Sequence, residues 1–370
     1  MTRLTLAAWL TIGGAVLAGC ATGPEAGRPT GLLDAQSPAV AIDASSSEFI
    51  VSVSPARQTM QIGGSSTAII GLGIDAVVND RYKRKIDDAL QGYDAGAIFR
   101  QRLTDRLNAA VPKGLTSTSP LTSYAGFHNK IEAEDARYAG IAKGGADVLL
   151  DIEMTYGVFG PGGTLVAKLD GEINLVPEGK ELWDNTIVVF AEPILASEKL
   201  TDPTKQLGPD FSSIRLTVED NAIDTWTKDG GAVLKKAFEE SVDAAVSALM
   251  CDLGLAEEAI GEYYLGKLAM NRKEFAEADA HFQKAIQLDP AMLDAQNGRA
   301  VNLAHHGQLD DAIGILRAIT ESSPEYGPAW FNLAWWYATE KEDAANAKTC
   351  YEKAKALGMP AHKKLDKLGK

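Results

Sequence analysis

Two prolines constrain this chain most. Pro290 and Pro324 stand 34 residues apart in a C-terminal third that reads as helix throughout. Aligned on them, small and large residues recur in register. Residues 259–292 carry Leu265, Gly266, Phe275, Ala278, Phe282 and Ala285. Residues 293–326 keep Ala300, Ala312 and Leu316, and residues 327–360 carry Trp330, Leu333, Ala334, Tyr337, Ala347, Tyr351 and Ala354. A helix pair of this length cannot bury its apolar face alone, so the period predicts a stack whose neighbours bury it for one another. The rival reading is an unrelated helical bundle.

The pattern resembles the tetratricopeptide repeat (TPR). "WFNLAWWY" matches its W-x2-L-G/A-x2-Y opening, Arg299 stands where that family has Leu, and the third repeat carries one apparent inserted residue. The resemblance implies three repeats over 256–360, with the polar tail 361–370 as a cap. It also implies a concave face lined by the first helix of each repeat. Those positions are Tyr263, Tyr264, Lys267, Met270 and Asn271, then Asn297, Val301 and His305, then Phe331, Asn332, Trp335 and Thr339. Aromatic anchors mixed with amides suit an extended peptide or a partner's helix. Of the basic carboxylate clamp of some relatives, only Lys267 and Asn332 are candidates. The alternative occupant is the chain itself, through its middle domain or the helix expected near 230–253. Trp330 and Tyr337 are expected between helices, Phe331 and Trp335 on the concave side, and Trp336 toward the neighbouring pair.

At the N-terminus, Arg3 precedes an apolar run from Leu4 to Ala18 that ends in Leu17-Ala18-Gly19-Cys20. The run is short for a membrane span and suits a signal peptide, 1–19. Small residues before a Cys resemble the lipobox of bacterial lipoproteins. That resemblance implies cleavage before Cys20, a diacylglyceryl group on its sulfur and acylation of the new terminus. Ala21, where Asp would signal retention at the inner membrane, implies the periplasmic face of the outer membrane. The Gly-, Pro- and Ser-rich stretch that follows reads as a flexible tether, 20–46. No cofactor is expected beyond the lipid on Cys20. Among the 370 residues the net charge is −14, which argues against nucleic acid or an anionic lipid surface as a partner. Cys251 and Cys350 are expected as two buried thiols.

Residues 47–255 read as an α+β domain. "EFIVSVS" (48–54) and "RQTMQIG" (57–63) look extended, an apolar small-residue segment spans 64–78, and 81–111 reads as helical. A second helix, 128–146, closes at Gly144-Gly145. Three alternating stretches follow. Leu150, Ile152, Met154 and Tyr156 share a face, as do Leu165, Ala167, Leu169, Ile173 and Leu175, and "KELWDNTIVVF" (180–190) continues the pattern. Turns at "GPGG" and "PEGK" make this an antiparallel meander with one face covered. Through "AGIAKGGADVLLDIE", the order loosely resembles the small α/β domains of envelope proteins, such as the curli-secretion lipoprotein and the N-terminal domain of the Tol system's propeller protein.

Chemical motifs are absent or incomplete. Gly71-Leu72-Gly73-Ile74-Asp75-Ala76 fits G-x-G-x-x-A, but no second strand ending in an acid follows. It reads instead as a close-packed turn, a Gly-spaced helix or an apolar hairpin for a membrane or partner subunit. The five histidines form no HExxH and no GxSxG occurs. The expectation is a non-enzymatic lipoprotein scaffold or adaptor binding a protein partner. Its rivals are a subunit of an outer-membrane assembly or export complex and, third, an envelope enzyme acting on cell-wall or glycan material.

Overall fold

The computed structural model describes residues 39–51, 81–111, 113–118, 130–160, 162–190, 194–197, 200 and 218–369. Cys20 and its lipobox, the stretches 57–63 and 64–78, Gly71–Ala76 and His128 lie outside the described residues. Among the described residues no helix is long and apolar enough to cross a membrane.

The N-terminal half is built on a mixed sheet in the order β3-β1-β4-β5-β6. Its strands are β1 (Val40–Ser46), β2 (Ile50–Val51), β3 (Leu115–Ser117), β4 (Val148–Phe159), β5 (Thr164–Leu175) and β6 (Lys180–Phe190). The last three form the expected antiparallel meander, with Ile152 opposite Gly171 and Leu169 opposite Ile187. β1 corrects the tether boundary. Val40–Ser46 pair in parallel with β4 from Val148 to Met154, and β3 lies parallel on the other side of β1. Within "EFIVSVS" the described strand is only Ile50–Val51, which pairs with Gly157–Val158.

Helices follow the sequence signals with two corrections. The stretch 81–111 is two helices: α1 (81–89) and α2 (Ala95–Ala110), separated by a turn. Asp94 caps α2, its carboxylate accepting from the Ala97 N–H at 2.7 Å. α3 (Lys130–Lys143) ends as expected at Gly144-Gly145, with Gly145 at φ +94°. α4 (Asp220–Asp252) begins ten residues before the expected 230, and its helical geometry is interrupted at Lys228–Gly231.

One sheet face, with Ile42, Leu150, Ile152, Met154, Leu169, Ile173 and Val189, packs against Phe99, Leu103 and Leu107 of α2 and Phe238, Val242 and Leu249 of α4. The second face is not bare. Tyr138, Ile141 and Ala142 of α3 pack on Ala41 and Leu149.

The C-terminal half is three helix pairs: α5 (Ala259–Asn271) with α6 (Phe275–Leu288), α7 (Leu293–His305) with α8 (Leu309–Ser322), and α9 (Gly327–Thr339) with α10 (Ala344–Ala356). Residues 272–274 and 306–308 link the first two pairs, whereas 340–343 link the third, so the inserted residue falls in that turn. Arg299, the exception to the repeat pattern, bridges to Asp279 of α6 at 2.8 Å. Leu365, in a final 3-10 turn (Leu365–Gly369), is buried against the last pair.

The halves share one core. Ala244–Asp252 of α4 are buried at every position, as are Gly261–Met270 of α5, the burial expected of helices covered on all sides. Gly261 permits this contact: a Cβ there would lie 2.6 Å from both Cys251 Sγ and the Ser247 carbonyl oxygen. Asp252 accepts from Trp183 Nε1 (3.2 Å) and Asn185 Nδ2 (2.8 Å), and Arg272 donates to Asn185 Oδ1 at 3.1 Å. Cys251 and Cys350 are both free and buried.

Candidate functional site

The repeat spacing places the first helices α5, α7 and α9 side by side, so the twelve predicted groove residues fall on three adjacent helices. Few of them are open. Tyr263, Tyr264, Lys267, Met270, Asn297, Val301, Phe331 and Asn332 are buried, and Asn271, His305, Trp335 and Thr339 are partly buried.

The chain itself covers them, with the end of β6, residues 194–197 and the C-terminal tail. At the first repeat the Tyr264 hydroxyl donates to the Phe190 carbonyl (3.1 Å), and Lys267 Nζ lies 4.0 Å from the Phe190 ring centroid. The rings of Tyr263 and Tyr264 stand 5.5 Å from the same ammonium. Lys267 therefore sits among aromatic faces, which attract a cation through their quadrupoles.

Further along, two amides grip residues 194–197. Asn297 Nδ2 and Asn332 Nδ2 both donate to the Ile194 carbonyl, at 2.9 and 3.1 Å. Asn332 Oδ1 accepts from the Ala196 N–H at 2.7 Å, and Asn332 Nδ2 also donates to Asn297 Oδ1 at 2.8 Å. Both asparagines are 0% exposed, where an unpaired amide would cost about 1–3 kcal/mol. Ile194 and Ala196 are buried while Leu195 and Ser197 are partly exposed, and the chain turns at Ala196-Ser197. Gly298 makes room: a Cβ there would lie 2.8 Å from Phe282 Cε1 and 3.0 Å from Ile194 Cδ1.

The third repeat is covered by the tail. His362 stands edge-on to Trp335 at 4.9 Å and lies 6.3 Å from Phe331, and Lys364 Nζ lies 5.1 Å over the Trp335 ring. Phe331 is thus corrected from open anchor to core, packed between His362 and Tyr351 of α10. Trp336 turns to α7, edge-on to His305 at 5.5 Å. Burial holds the His305 imidazole below its ordinary value. Trp330 donates to the Pro324 carbonyl at 2.9 Å and, with Tyr337, packs against the core of the last repeats. Sequence reasoning named the asparagines but missed Phe190, Ile194, Ala196 and His362. Their contacts run largely through the main chain or through single rings and leave no periodic signal.

A second cluster lies on the other sheet face. Asp43, Asp151 and Glu172 stand opposite one another on β1, β4 and β5, and Arg137 of α3 bridges both Asp43 and Asp151. Burial, helped by the Asp151 charge and opposed by Arg137, pushes the Asp43 carboxyl up to about 6. Among the described residues no group of His, Cys, Asp or Glu is placed to hold a metal ion.

Family comparison agrees with the repeat geometry. Residues 269–334 match one tetratricopeptide repeat model and residues 327–357 another. The C-terminal helices are TPR repeats, a class of module that binds proteins, joined here to a mixed-sheet domain. No curated protein and no solved structure matches the chain.

Proposed function

We propose that this chain is a non-enzymatic lipoprotein scaffold, held on the periplasmic face of the outer membrane through Cys20, that recruits a protein partner through its TPR repeats. The observation that carries the binding role is the Asn297–Asn332 pair, which holds a stretch of chain by its backbone carbonyl and N–H. Such recognition suits a module that reads a segment of another protein. The lipobox residues Leu17–Cys20 support the anchor, and confinement to a surface raises the effective concentration of partners tethered there.

The test uses a photocrosslinking residue at the partly exposed positions Asn271, Trp335 and Thr339, in cells carrying either Cys20 or Cys20→Ser. The expected outcome is one recurrent crosslinked protein in the membrane fraction, with the Ser variant released to the soluble fraction. No recurrent product from any of the three positions would reject the scaffold role, and a Ser variant still in the membrane would reject the lipid anchor.

A further inference from the structure

We propose that residues 194–197 are an exchangeable internal ligand. The chain supplies the segment that closes its own groove, and a partner's peptide with an aliphatic residue followed two positions later by a small one takes its place. The inference rests on the reading that the repeats bind protein segments, and adds what they bind and what competes.

Three features carry it. First, every hydrogen bond from the asparagines to the segment goes to main-chain atoms, the Ile194 carbonyl and the Ala196 N–H. A peptide that follows the same path can present the same two groups. Second, the side chains are selected only by size. Ile194 fills the space left by Gly298 beside Phe282, and Ala196 packs where a larger residue would meet the core of the last two repeats. The intervening Leu195 packs, partly buried, against the core of the last repeats, and the following Ser197 is partly exposed. Third, 194–197 belong to no strand of the sheet. The α+β half is joined to the repeats through α4 and α5 whether or not this segment is in place. Its release withdraws Ile194 from the shared core and Ala196 from the core of the last repeats, and leaves the α4–α5 contact in place.

Covalent attachment at Phe190 gives the segment an effective concentration on the order of millimolar, so a free peptide competes at a disadvantage until the internal copy is weakened. The probe is a fluorescent peptide of residues 190–200, FAEPILASEKL, titrated into the full chain. Ala196→Pro removes the N–H that Asn332 accepts and handicaps only the internal copy. The variant is expected to bind the peptide about tenfold more tightly than wild type, and adding Asn297→Ala and Asn332→Ala should abolish that gain. Equal affinity in wild type and Ala196→Pro overturns the proposal.

A second measurement needs no variant. By hydrogen exchange in the wild-type chain, the Ala196 amide should exchange by local opening, about 100-fold faster than the amides of Leu333 and Ala334 in α9. Exchange as slow as theirs means a permanent weld and overturns the proposal. In that case crosslinking from Asn271, Trp335 and Thr339 still decides the scaffold reading independently. A doubled mass in solution, with segments exchanged between two copies, would overturn it as well.

Discussion

Asp43 is 1% exposed on β1, with Asp151 as its neighbour across the strand pair and Arg137 as its counter-charge. Its folded value of about 6 lies above the ordinary 3.8. The sign follows directly. Below about pH 4 the carboxyl is protonated in both the folded and unfolded chain and costs nothing. Between about pH 4 and 6 the unfolded chain ionises while the folded chain still holds the proton, so stability falls by up to about 3 kcal/mol, and above 6 the loss levels off. Asp43→Asn lacks this term. Urea unfolding of both chains from pH 4 to pH 7 should show the variant gaining on wild type as pH rises, and a difference that stays flat would reject the assignment. Nothing in the sequence marks Asp43 as buried. It is an acid in a segment of small residues, and only pairing with β4 removes it from water.

Among the elements, those whose sequence carries a period were legible. β4, β5 and β6 alternate apolar and polar residues along part of their length, although most of β4 and β5 is buried. β1 has Val40, Ala41, Ile42 and Asp43 buried in succession, since an interior strand covered on both sides loses its period of two. It therefore looked like more of the tether. The repeats were legible at their small positions, and the groove asparagines followed from them. That the chain's own middle domain fills the groove was the alternative expected; the segment that does so was not legible, because a main-chain contact constrains residue size more than residue type. Close helix approach makes one element-scale prediction. Gly261→Ala should push α5 off α4, costing about 2 kcal/mol and lowering Tm by about 3 °C. Gly314→Ala is the control. It sits exposed in α8 with nothing within 4 Å of its Cβ, so it should raise stability by a few tenths to about 1 kcal/mol. Thermal melts of the two variants that fall together would reject the packing argument.

For the whole molecule, the continuous core from the sheet through α4 and α5 into the repeats makes two architectures one cooperative unit. Urea unfolding followed by tryptophan fluorescence and by far-UV circular dichroism should give coincident single transitions. Two resolved steps would show that α4 does not couple the halves. α4 also stands where a solenoid needs a terminal cap, so the sheet domain closes the first repeat as the tail closes the last. The directions of the strands have a mechanical consequence. β1, β4 and β6 all run the same way, so the chain enters the sheet at the Val40 end and leaves toward the repeats at the Phe190 end. Tension between the N-terminal side of Val40 and a load carried by the repeats is directed along the strands. It loads the seven paired residues of β1 in shear, all at once rather than one by one. Survival under such a pull is set by a rate of rupture rather than by equilibrium stability, so the sheet domain can bear force between its two attachments.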